Sequence, residues 1–117
     1  MNDSELLEKA ATAAGLKFLG MDQRMPQWAC VEGERGSFGH QRWAWSPLDD
    51  DGDALRLVVA LRLQIEWTNQ LAGDRHEFLQ VSPKTLGHLA YCGPIGNDAQ
   101  ATLRRSIVIA AASMAVD

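Results

Sequence analysis

The chain has 117 residues, 46% hydrophobic and 22% charged, the balance of one globular domain long enough to bury a core without disulfide or metal staples. A net charge of −4 argues against general affinity for nucleic acid or an anionic membrane. No apolar run reaches the roughly 18 residues of a transmembrane helix, and Asn2-Asp3-Ser4-Glu5 lacks the basic and apolar regions of a secretory signal, so a cytoplasmic setting is expected.

The first helix is predicted from Asp3 to Ala14, capped by Asn2 or Asp3 and stopped by Gly15. Leu6, Leu7, Ala10, Ala11, Ala13 and Ala14 form a stripe of mostly small residues suited to close packing, and Glu5 and Lys9 stand at the favourable i, i+4 spacing. Leu16 to Leu19 reads as a short strand, Met21 to Pro26 as a connection and Trp28 to Glu32 as a second strand. Gly33 to Gly39 is a glycine-rich loop. It lacks the Gly-x-x-x-x-Gly-Lys pattern of a phosphate loop. Gln41 to Trp45 forms a third strand with Trp43 and Trp45 on one face.

Ser46-Pro47-Leu48-Asp49 then has the form of a capping box, with Pro47 at the first helical position and Asp49 to Asp53 at the positive end of the helix dipole. Gly52 weakens this first turn by about 1 kcal/mol relative to Ala, so the start can slip to Asp51 or Asp53. Ala54, Leu55, Val58 and Val59 continue the helix. From Leu61 the period drops to two: Leu61, Leu63, Ile65 and Trp67 alternate with Arg62, Gln64, Glu66 and Thr68. This predicts a tight helix-to-strand corner near Ala60–Arg62, with the helix packed on the sheet that its own strand joins. No register of the acidic run satisfies a calcium loop, which needs glycine sixth and glutamate twelfth; capping and solvation account for it instead.

Thr68 to Arg75 is a polar connection and His76 to Val81 a strand. A turn follows at Ser82-Pro83-Lys84, then an edge strand over Leu86–Cys92 and a turn cluster at Gly93–Asn97. The last helix is capped by Asn97 or Asp98. It places Leu103, Ile107, Ala110, Ala111 and Met114 on one face, with Arg104 and Arg105 on the polar side. No internal repeat, low-complexity block or linker is visible. Cys30 and Cys92 belong to no metal-binding spacing and read as packed small hydrophobes rather than a disulfide or a catalytic thiol. The element order predicts an α+β single-domain sandwich: an antiparallel or mixed sheet of four to six strands, with three helices on both faces.

Trp45-Ser46-Pro47-Leu48-Asp49-Asp50-Asp51-Gly52-Asp53-Ala54-Leu55-Arg56-Leu57 resembles a motif of small, largely uncharacterised phage and prophage proteins, W-N-P-L-x-D-D-G-D-A-L-R-L. Those proteins carry near their C-terminus a helix of the type A-T-R-R-A-I-V-x-A-A-A, matched here by Ala101 to Ala112 with Leu103 inserted. The opening helix, Ser4 to Gly15, is similar to theirs as well. Ser46 stands where the family often has Asn, and both are good caps. The resemblance covers the three helices and implies an α–β–α sandwich of unknown activity in the cytoplasm of a bacterial host. It implies no reaction, and Trp45, Ser46, Pro47, Asp49, Gly52 and Asp53 also have structural explanations as cap, corner and core.

Three function classes follow. The first is a phage accessory protein that binds a host or phage protein, for instance to blunt a defence system, without enzymatic activity, cofactor or metal. Its working surface is the segment that packing does not explain, Gly33 to Arg42, where Phe38 stands beside the cationic Arg35, His40 and Arg42 and suits an acidic protein surface. Trp28, Trp43, Trp45 and Trp67 are either core or interface anchors. The alternative is a nucleic-acid-binding accessory protein, using the same charges with Trp43 for stacking, against which stands the negative net charge. A small enzyme is the third reading, resting on three scattered histidines and the acidic run. Oligomeric state and strand order are not legible at this level.

Overall fold

A computed structural model describes residues 2–22, 24, 28–68, 78–83 and 91–115. The chain forms α1 (Asp3–Ala13), β1 (Lys17–Met21), β2 (Ala29–Glu34), a 3₁₀ turn (Gly36–Phe38), β3 (His40–Trp45), α2 (Asp51–Leu61), β4 (Leu63–Thr68), β5 (Phe78–Pro83), β6 (Tyr91–Pro94) and α3 (Ala99–Ser113). A helix followed by an antiparallel three-stranded meander thus occurs twice before the closing helix. The fold class is the expected α+β sandwich. Among the described residues its strands are divided between two sheets, β1-β2-β3 and β4-β5-β6, rather than gathered in one.

Local signals account for the helices. Asn2 caps α1 by accepting from the Glu5 N–H at 2.8 Å, and Asp98 caps α3 by accepting from the Ala101 N–H at 3.0 Å. The central helix starts later than a Ser46 cap predicts. Asp50 is its N-cap, accepting from the Asp53 N–H at 2.8 Å, while Pro47–Asp49 form a separate turn that leads into it. At the other end Arg62 adopts a left-handed conformation (φ 53°, ψ 49°) and passes the chain directly into β4, the tight corner that the change of period requires.

Each sheet has one buried face. In the first, Ala29 lies opposite Trp45 and Val31 opposite Trp43, so the two tryptophans share a face, as their spacing predicts. In the second, Leu63, Ile65 and Trp67 lie opposite Pro83, Val81 and Leu79. The strand and turn boundaries shift in several places. Met21 closes β1 rather than opening a connection, and Leu61 closes α2 rather than opening the strand. Gly33 belongs to β2, Ser82 and Pro83 belong to β5, and Gly93 and Pro94 belong to β6. The polar connection after Thr68, His76 and most of the Leu86–Cys92 segment lie outside the described residues.

One continuous core joins both sheets, with Leu6, Leu7, Ala10 and Ala11 of α1, Val31 and Trp45 of the first sheet, Leu57 of α2, Leu79 and Val81 of the second sheet and Ile107, Val108, Ala110 and Ala111 of α3. Alanine pairs on both α1 and α3 are fully buried, which lets the two helix backbones approach closely. The α3 helix touches α1, α2, β5 and β6 and is the hub of the packing. Burial on α2 falls on Asp53, Ala54 and Leu57, while Leu55 and Val59, which share the helical spacing, remain exposed.

Candidate functional site

Two regions concentrate polar and aromatic side chains: the turn that enters α2 and the β2–β3 hairpin. The turn runs from Trp45 to Asp53, and its acidic residues are occupied in holding structure. Ser46, fully buried, donates from its N–H to Asp53 Oδ2 at 2.9 Å and from its hydroxyl to Asp49 Oδ2 at 3.0 Å. Its carbonyl accepts from the N–H groups of Asp49 and Asp50. Asp53 Oδ1 receives Arg56 at 3.0 Å. Burial raises the Asp53 carboxyl above its ordinary range, against the pull of the Ser46 N–H; nearby Asp50 raises it further and Arg56 lowers it.

Arg104 crosses from α3 to the same turn. Its Nε donates to the Leu48 carbonyl at 2.9 Å and its guanidinium meets Asp51 at 2.7 Å, so it is a tether between helices rather than a solvated polar-side residue. Arg105 pairs with Asp3 of α1 at 3.0 Å. The motif Trp45, Ser46, Pro47, Asp49, Gly52 and Asp53 is therefore a folded joint. Gly52 sits where an added Cβ would come within 3.2 Å of both the Asp50 carboxylate and the Arg56 guanidinium.

A cleft of about 330 Å³ opens beside this joint, between α2, the end of α1 and the base of the hairpin, walled by Trp43 and Trp45 with Asp53, Arg56, Glu34 and Arg35 at its polar side. Both Asp53 oxygens already have partners there. Among the described residues, no buried side-chain polar atom lacks a hydrogen-bond partner, and no three His, Cys, Asp or Glu side chains converge as metal ligands. Cys30 is a free thiol on the opposite face of the first sheet, across from Ala44.

The hairpin gathers all four residues singled out in the glycine-rich segment. Glu32 lies opposite Arg42 and Glu34 opposite His40 on the outer face of the sheet. Arg42 donates to Glu32 at 2.9 Å; this bond, more than any other influence, holds the Glu32 carboxyl below its usual range and raises the Arg42 guanidinium. His40 stands 3.5 Å from Glu32 and 3.7 Å from Glu34. Arg35 lies over the Trp43 ring, 5.1 Å from its centroid. Arg35, His40 and Arg42 are thus each engaged within the hairpin itself.

The tip is closed by the Arg35 N–H donating to the Gly39 carbonyl at 2.8 Å and the Phe38 N–H donating to the Arg35 carbonyl at 3.1 Å. Gly39 takes a φ of 77°, which glycine adopts without strain. At Gly33 a Cβ would come within 2.8 Å of a terminal methyl of Leu16, which would have to shift to make room. The segment that reads as a loose loop is a closed turn on a paired ladder. Its outermost apolar group is Phe38, 76% exposed. Comparison of the chain with protein-family models, curated proteins and solved structures finds no match. What the region can do is read from its own chemistry. It offers one projecting aromatic ring on a stiff support, with its charges balanced locally.

Trp45 is buried and Trp43 is largely covered, so these two serve the core; Trp67, by contrast, is 46% exposed. Sequence reasoning missed Glu32 and Glu34 as the partners of Arg42 and His40. Their positions at hairpin distance from those residues were the available signal.

Proposed function

We propose that the chain is a small phage accessory protein that acts by binding a host or phage protein, without catalysis of its own, and that the β2–β3 hairpin is its docking element. The observation that carries this reading is Phe38: a large apolar side chain, 76% exposed, at the apex of a turn closed by two backbone hydrogen bonds. Burying an aromatic ring from such a position contributes about 1.5–3 kcal/mol to association, and a pre-ordered support lowers the entropy lost on docking. The partner chemistry that fits is an apolar pocket rather than an acidic field, because Arg42 and His40 already face Glu32 and Glu34. The same pairing weakens the nucleic-acid alternative, which needs cations free for phosphates. The bacterial cytoplasm as setting rests on the resemblance of the Trp45–Leu57 stretch and the terminal helices to phage proteins.

Affinity capture from lysate of a bacterial host, with the parent chain and Phe38→Ala side by side, tests the reading. The expected result is a partner held by the parent and lost, or weakened at least tenfold, with Phe38→Ala, while the melting temperature stays unchanged. Equal capture by the two proteins places the docking surface elsewhere.

A further inference from the structure

The cleft of about 330 Å³ at the base of the hairpin takes no part in docking through Phe38, which is not among its walls. Its size falls at the lower end of the roughly 300–1,000 Å³ of small-ligand sites, enough for a molecule of one or two rings. Trp43, Trp45 and Leu57 supply apolar wall, and the charged groups are Glu34, Arg35, Asp53 and Arg56. These four are unequally committed. Asp53, its side chain 9% exposed, directs its two oxygens to the Ser46 N–H and to Arg56. Arg56 is held through one terminal nitrogen and is otherwise well exposed, so its remaining N–H donors are open. Arg35 lies over the Trp43 ring, and among the described residues no carboxylate or carbonyl accepts from its guanidinium. Glu34 is the opposing charge; it is exposed, and its carboxylate lies 3.7 Å from His40.

We propose that this cleft binds a small aromatic oxyanion: a molecule of one or two rings carrying a carboxylate or a phosphate. Its ring lies against the tryptophan wall and its charged oxygens accept from Arg35 and Arg56. Guanidinium groups with open donors suit planar oxyanions, and bonds between two charged partners are the strong ones. Both arginines are held before any ligand arrives, Arg56 by Asp53 and Arg35 by the Trp43 ring, which lowers the entropy lost on binding. A cationic ligand meets two guanidinium groups. A neutral ring gains only the burial of its apolar area and leaves those donors to water.

Calorimetric titration of the full chain at neutral pH with naphthoate, naphthyl phosphate and uncharged naphthol tests this, with the tryptophan indole N–H signals followed by nuclear magnetic resonance. At least one of the two anions should bind about tenfold more tightly than naphthol. It should shift the indole signals of Trp43 and Trp45, which wall the cleft, and not that of Trp67. The tighter anion identifies the head group. Arg35→Gln and Arg56→Gln should each weaken that anion about fivefold and leave naphthol unchanged. Arg56→Lys, which keeps the charge beside Asp53, should recover part of the loss. Glu34→Gln should tighten the anion about twofold by removing the opposing charge. Naphthol bound as tightly as the anions overturns the inference, as does an absence of binding at millimolar concentration or an anion indifferent to both glutamine substitutions. Phe38 lies outside the cleft, so these outcomes are independent of partner capture by the hairpin tip.

Discussion

The joint from Ser46 to Asp53 and the hairpin from Glu32 to Arg42 are both charged, glycine-containing stretches, separated only by the end of β3. They use their charges in opposite directions. In the joint, Asp50 caps a helix, Asp53 receives the Ser46 N–H and Arg56, and Asp51 receives Arg104 from the far end of the chain. In the hairpin, among the described residues, Glu32 and Glu34 meet His40 and Arg42 on the neighbouring strand. A pair that links segments distant in sequence contributes to the fold as a whole. A pair between adjacent strands stiffens a local element and leaves its tip available.

Substitutions can break this contrast, and the joint should show the largest effects. Asp53→Ala removes the acceptor it provides to the buried Ser46 N–H and the partner it gives Arg56, and should cost about 2–3 kcal/mol by chemical denaturation. Ser46→Ala deletes the hydroxyl bond to Asp49, and should cost about 1 kcal/mol; an unchanged midpoint would mean that the turn does not depend on that hydroxyl. The pH dependence sharpens the point further. The folded state raises the Asp53 pKa above its unfolded value, so its contribution is fully present below the unfolded pKa and is lost as pH rises through the folded one. The stability of the parent relative to Asp53→Asn should therefore increase as pH falls from neutral through the carboxylate range. Glu32, held low by Arg42, has the opposite sign: its contribution is present above the unfolded pKa and is lost as pH falls through the folded one. Glu32→Gln should remove that acid-side loss in a parallel titration. The smallest effect belongs to the hairpin tip, where Phe38→Ala should leave the denaturation midpoint within error.

The sequence was most legible where the signal is local. Asn2, Gly15 and Asp98 announce the ends of α1 and α3 because a cap satisfies its own first or last turn, and both helices form within a residue or two of expectation. Ser46 misled because its bonding partners include Asp53, seven residues on, and because Arg104 satisfies the Leu48 carbonyl of the same turn from another helix. Alternation along Leu63–Thr68 gave the strand and its inward face but not its neighbours. Period two says which side chains share a face and nothing about which strand lies alongside, so the split into two sheets was invisible. Leu55 and Val59 fit the helical period as well as Leu57 does. Only the arrangement of the two sheets around α2 decides which of them is covered. Phe38 was legible as unclaimed by the core, whereas the closed turn beneath it was not.

The position of α3 at the hub of the packing has a consequence for biosynthesis. Ribosomes deliver the chain from its N-terminus, so both sheets and two helices emerge before Ala99–Ser113 does. Until then Leu6, Leu7, Ala10 and Ala11 of α1, together with Leu79 and Val81 of β5, lack the helix that covers them in the finished fold. Each half can form its meander early, since antiparallel neighbours close short loops, but the apolar faces of α1 and β5 that α3 covers stay exposed until α3 docks. A chain that has not yet acquired α3 is therefore expected to expose apolar surface and to be prone to aggregation. A chain ended at Asn97 should accumulate as insoluble protein, and supplying Asp98–Asp117 as a separate peptide during refolding should restore solubility.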